Sequence, residues 1–165
     1  MLGKLLSPAG RSTLIQATFS SIPAYAMQTA KLPRSLCDKV DRKVRRFLWG
    51  GDETHRKVHH VSWNQILKPK NMGGLGLKAM RHKNSAFLTK LGWRVLSEKD
   101  KLWSQVVRAK YCDGRCNIDM FTAKPNASNA WKDIVENARF LREGVRTEVG
   151  NGKRTLFWYH NWATT

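Results

Sequence analysis

Acidic residues are in short supply: twelve Asp and Glu stand against thirty Lys and Arg in 165 positions, a formal charge of +18. The carboxylates are scattered, mostly beside cations, and Asp52-Glu53, the close pair outside a helix cap, reads as loop surface. Phosphoryl and nucleotidyl transfer ordinarily need clustered carboxylates to hold a divalent metal, so that chemistry has no candidate residues here. Cysteine is scarce too. Cys37, Cys112 and Cys116 cannot all pair with one another, and no basic flank followed by a long apolar run opens the chain; a reduced, intracellular setting is expected. His55, His59 and His60 lie far upstream of Cys112 and Cys116, so a zinc site would need a distant loop to complete it, and no metal or other cofactor is expected. No window approaches the roughly 18 apolar residues that suggest a membrane span. No serine sits in a nucleophile elbow, and Gly73, Gly74 and Gly76 fit neither the P-loop nor the dinucleotide fingerprint, which leaves a tight turn as their reading. Internal repeats and low-complexity stretches are absent as well.

What is present is positive charge, unevenly spread. Residues 1–30 carry two cations and no acid, 31–70 eleven cations against four acids, 71–110 nine against two, and 111–165 eight against six. The stretch from Lys31 to Lys110 thus supplies +14 of the +18. A polyanion is the partner such a balance suggests, and its site should lie in the middle of the chain.

The apolar pattern is mainly helical, and 41% apolar composition is enough for a modest core. Ser7 and Pro8 open a helix with Leu14, Ile15, Thr18 and Phe19 on one face, and Pro23 breaks it. Pro33 starts another, along which Leu36, Val40, Val44, Phe47 and Leu48 recur until Gly50-Gly51 stops the run. A short strand is read at Val58–Val61, and Ser62 caps a brief helix from Trp63. A long helix follows from Leu77 to about Ser97, with Met80, Phe87, Leu88, Leu91 and Val95 inward. Asn84 falls on that inward side, where a buried amide needs a partner, most simply backbone of the glycine loop. Asp100 is read as the cap of a helix whose Leu102, Trp103, Val106 and Val107 face the core. Residues 112–126 read as exposed loop, and Ser128 caps a helix carrying Trp131, Ile134, Val135, Ala138 and Leu141. A terminal β-hairpin over 145–162, turning at Gly150-Asn151-Gly152 close to the last residue, suggests a fragment.

With the seam of the Pro33 helix turned inward, Lys39, Arg42, Lys43, Arg45 and Arg46 remain on its flanks and outer face. A solvated helix face and a phosphate-binding ridge are both open readings, and only Asp38 and Asp41 sit at compensating helical spacings. Core packing is the expectation for Trp49, Trp93, Trp103 and Trp131, and base stacking stays open for Trp158 and Trp162.

The segments "LLSPAGRSTLIQATFSSIPAYAMQTAKLP", "RRFLWGG", "KVHHVSW", "PKNMGGLGL", "NSAFLTKLGWRVL", "LWSQVVRAKY" and "VGNGKRTLFWYHNW" follow one another in this order. Together they resemble plant LINE-type, non-LTR retrotransposon reverse transcriptases, RNA-directed DNA polymerases whose relatives often bear ribonuclease H labels. The resemblance covers nearly the whole chain. It implies a mainly α fold: a helical thumb-like region at 1–51, a basic linker region with helices at 52–111, and a helix plus terminal β-hairpin at 112–165. It further implies a chain beginning after the polymerase palm and running to just before a zinc-binding segment, with the catalytic aspartates upstream and no counterpart here. Such a chain would be noncatalytic alone, nuclear or nucleocytoplasmic, with the palm as an intramolecular partner. Its thumb would clamp RNA and DNA template and primer backbones through Lys39, Arg42, Lys43, Arg45 and Arg46, with Arg11 at the same groove and Arg56, Lys57 and His59 extending it. An inactive retroelement remnant and a basic RNA- or protein-interaction module are the alternatives.

Overall fold

A computed structural model describes residues 6–19, 21–51, 57–112, 116–118, 121–145 and 148–151. Two compact units divide the chain, Met1–Phe87 and Leu88–Thr165, and the described parts of both are helical. None of the described helices is long and apolar enough to cross a membrane.

In the first unit, α1 (Pro8–Leu14) starts where the Ser7 hydroxyl accepts the Gly10 N–H at 3.2 Å, with Pro8 in the first turn. It runs into a π-helical turn, Ile15–Phe19, whose Ile15 is buried. After the break at Pro23 comes the short α2 (Ala24–Met27), and then α3 (Arg34–Leu48), entered through Pro33. The seam of α3 is Cys37, Val44 and Leu48, with Val40 and Phe47 partly buried beside them; Leu36 points outward. A Schellman turn closes the helix: Gly50 N–H donates to Phe47 O at 3.0 Å and Gly51 N–H to Arg46 O at 3.0 Å. This turn puts Gly50 at φ +67°, a conformation that disfavours any side chain.

No strand forms at Val58–Val61, where both valines are exposed; two β-branched residues without a neighbouring strand leave the ladder groups unpaired. Ser62 caps α4 (Trp63–Leu67) by accepting the Gln65 N–H at 3.3 Å. The glycine tract beyond it is a tight fold-back on α4, with Leu75 N–H on Ile66 O and Gly76 N–H on Lys68 O. A side chain on Gly74 would strike the Lys68 and Gln65 carbonyls, which accounts for glycine there without any phosphate.

Helix α5 (Met80–Ser97) begins three residues later than the sequence pattern suggests and contributes to both units. Asn84, 3% exposed, does find backbone partners, but not in the glycine loop. Its Nδ2 donates to Met27 O (3.1 Å) and Ala30 O (2.9 Å), and its Oδ1 accepts the Leu32 N–H (2.8 Å). The amide therefore pins the α2–α3 connection, serving two carbonyls and one N–H between Met27 and Leu32.

The second unit packs α6 (Leu102–Tyr111) and α7 (Asn129–Gly144) around Val95, Phe121, Trp131, Ile134 and Ala138. Trp131 is 1% exposed, stacked on Tyr111 at 4.7 Å, and its Nε1–H donates to Thr122 O at 2.9 Å. Ser128 caps α7 as its spacing suggests. Lys101, not Asp100, precedes α6, without a side-chain cap. The inward row of α6 is also narrower than expected: Trp103, Ser104 and Val107 turn inward, whereas Leu102 (76%) and Val106 (58%) are exposed. The Ser104 hydroxyl donates to Val95 O at 3.3 Å, which sets this phase. Trp93 is 45% exposed, contrary to its assignment to the core. The hairpin expected over 145–162, with Trp158 and Trp162, falls mostly outside the described residues; among the described ones no strand occurs.

Candidate nucleic-acid interface

Helix α3 carries six cations and two acids, and the acids are occupied elsewhere. Asp41 Oδ1 accepts the Met80 N–H at 3.1 Å, satisfying a donor at the first turn of α5, where a negative charge also meets the helix dipole favourably. Asp38 Oδ1 meets Arg81 Nη2 at 3.3 Å, a half-exposed pair of little energetic weight that still turns the carboxylate toward α5. Burial pushes the Asp41 carboxyl above its ordinary range, against the lowering effects of the Met80 N–H and of Arg45. Among the described residues neither acid, nor any other, forms an ion pair with Arg42, Arg45 or Arg46. Arg42 Nε donates to the Asp38 carbonyl one turn back, at 3.3 Å.

The cations freed in this way converge. Arg42, Arg45 and Arg46 line a recess of about 290 Å³ together with Trp49, Gly51, Lys57 and His59. The Trp49 indole supplies an aromatic wall, stacked against His59 (6.0 Å, 18° between planes) and met edge-on by His60 (5.7 Å, 63°). Arg45 lies over the Trp63 ring, its Cζ 5.1 Å from the centroid, a cation–π contact that holds the guanidinium without neutralising it. Arg45 Nε and Trp49 Nε1 are buried donors with no hydrogen-bond partner among the described residues.

The structure thus brings together Arg42, Arg45, Arg46, Lys57 and His59 of the expected binding set. Lys39 and Lys43 are exposed on α3 but do not line the recess. Arg56 lies outside the described residues, as do Asp52, Glu53 and His55. Arg11 lies against Gly50, so closely that any Cβ there would collide with its guanidinium, and it lines a second, mostly apolar cavity of about 580 Å³ with Leu48, Trp49, Ile66 and Leu75. Trp49 packs against the core of its unit, as expected, and is also common to both cavities, which makes it a functional candidate as well. The available signal was its place, directly after Arg45-Arg46 and directly before the glycines that end the helix.

Burial, reinforced by nearby Asp41, pushes the Cys37 thiol up and leaves it an inert core group. The sulfurs of Cys112 and Cys116 lie 2.7 Å apart, and among the described residues no three potential ligands gather around a point that could hold a metal.

Two curated relatives from Arabidopsis thaliana are similar to this chain. One, named "Putative ribonuclease H protein", is 37% identical over 163 residues, which is 98% of this chain and 26% of that protein. The chain thus spans about a quarter of that relative's length. The other, named "Uncharacterized mitochondrial protein", is 29% identical over 143 residues, 86% of this chain and 92% of that protein. Both fit a retroelement-related chain, and neither name speaks of a polymerase thumb. No family model matches the chain, and no solved structure does.

Proposed function

We propose that this chain is a noncatalytic, nucleic-acid-binding segment of a retroelement reverse transcriptase, a thumb-like piece that grips RNA and DNA template or primer backbones. The observation that carries the reading is the sorting of charge on α3: its acids face α5, while Arg42, Arg45 and Arg46 join Lys57 and His59 around Trp49 with no carboxylate among the described residues of the wall. Backbone phosphates are the natural ligands for such a surface, because guanidinium forks match phosphate oxygens and need no base sequence. Polymerisation by the longer protein would rest on carboxylates supplied by a palm, its intramolecular partner, in a nuclear or nucleocytoplasmic setting. The resemblance of the ordered sequence motifs and the similarity to a retroelement-type relative support this assignment.

Titration of the purified chain with duplex DNA, RNA–DNA hybrid and single strands at two salt concentrations tests it. Binding should weaken with salt at a log-log slope of about −0.9 per neutralised duplex phosphate. Salt-independent binding, or selective capture of one structured RNA, would replace the clamp with an inert remnant or an RNA-recognition module respectively.

A further inference from the structure

Resting on that reading, we infer that the recess at the C-terminal end of α3 is a phosphomonoester site that takes the phosphorylated end of a nucleic-acid strand. An internal phosphodiester carries one charge and leaves in two directions, so an open ridge such as the Lys39–Lys43 side of α3 suffices for it. A terminal phosphate carries close to two charges and three acceptor oxygens and leaves in one direction only. The recess matches the second description. Arg42, Arg45, Arg46 and Lys57 line one concavity, more charge than a single diester neutralises, with no carboxylate among the described residues of the lining. Two residues of that lining, Arg45 and Trp49, also carry buried N–H donors that no group among the described residues satisfies. The volume of about 290 Å³ equals about ten water volumes at about 30 Å³ each, room for a phosphate with its attached sugar. The exposed His59 ring, stacked on Trp49, offers a flat surface to the terminal base.

The test is a comparison of short single strands of one sequence with a 5′-phosphate, a 3′-phosphate or hydroxyls at both ends, measured by fluorescence anisotropy on the full chain. One of the phosphorylated strands should bind about tenfold more tightly than the unphosphorylated one, the effect of one good charge-assisted contact set. Arg46→Gln, inside the recess, should abolish that preference. Lys43→Gln removes the same charge from the open ridge and should weaken all strands alike while preserving it. Equal, salt-sensitive binding of all three strands would overturn the end-binding assignment and leave the backbone clamp standing; no binding of any strand would overturn both. Displacement of the phosphorylated strand by an equal concentration of free nucleoside monophosphate would reassign the recess to a free nucleotide.

Discussion

Helices α3 and α7 are built to one plan and end with different surfaces. They are 15 and 16 residues long, and each buries a seam, Cys37, Val44 and Leu48 in one and Trp131, Ile134, Ala138 and Leu141 in the other. Outside the seam α7 is balanced, with Lys132, Arg139 and Arg142 against Asp133, Glu136 and Glu143. Two of its cations are satisfied by backbone, Lys132 Nζ on Pro125 O at 2.7 Å and Arg142 Nη2 on Ile118 O at 3.4 Å. Helix α3 has six cations to two acids, and its acids serve α5. An amphipathic pattern therefore says which face packs; where the carboxylates of the outer face are sent decides whether that face is merely solvated or can grip an anion.

The widest separation between the two helices should come from stripping their cations. Arg42, Lys43, Arg45 and Arg46 changed together to Gln should lower oligonucleotide affinity about 10³–10⁴-fold near 0.1 M salt, if each meets one phosphate, with the far-ultraviolet circular dichroism unchanged. The same treatment of Lys132, Arg139 and Arg142 should leave affinity nearly as it was; equal losses from both variants would mean that net charge alone is at work. The converse contrast is in stability. Trp131→Ala should destabilise the second unit by about 3–5 kcal/mol in thermal unfolding, because a buried ring, its stacking on Tyr111 and the bond to Thr122 O go together.

A smaller effect is expected at the α3 terminus. Gly50→Ala forces a side chain into the left-handed region and against Arg11, at about 1–2 kcal/mol for the backbone term, measurable as a shift of the denaturation midpoint. Smallest is the response to Asp41→Asn, which keeps an oxygen for the Met80 N–H. Burial holds the Asp41 carboxyl above its ordinary value, so as pH falls the folded chain takes up that proton before the unfolded one does. Its contribution is thus fullest below the ordinary carboxylate range and declines as pH rises through the raised value. Relative to the parent, the Asn variant should gain stability as pH rises from the ordinary carboxylate range through the raised value, and a parallel pair of pH profiles would remove the buried-carboxylate assignment.

Much of the helical layout was legible because its signals are local. Ser7, Ser62 and Ser128 bond to amides three residues on, Pro33 opens α3, and Gly50-Gly51 close it, all within one turn of chain. What escaped depends on distant partners. The need of Asn84 for a hydrogen bond was plain, but its partners lie between Met27 and Leu32, more than fifty residues away. The inward row of α6 was misjudged because Leu102 and Val106 look as apolar as Trp103 and Val107, and only contact with Val95 O tells the rows apart. The basic residues of the recess were named from charge and from the family resemblance, whereas Trp49 was not, since an indole suits a core as well as a ligand wall.

The bond from Asp41 to the Met80 N–H has a thermodynamic corollary. Docking of α3 on α5 fixes the Asp41 carboxylate on the Met80 N–H, so the anion-attracting face is complete only once this unit has assembled. Any polyanion that prefers that face then acts as a folding ligand, adding RT ln(1 + [L]/Kd) to the stability of the unit, and its melting temperature should climb with oligonucleotide concentration at low salt and stand still at high salt.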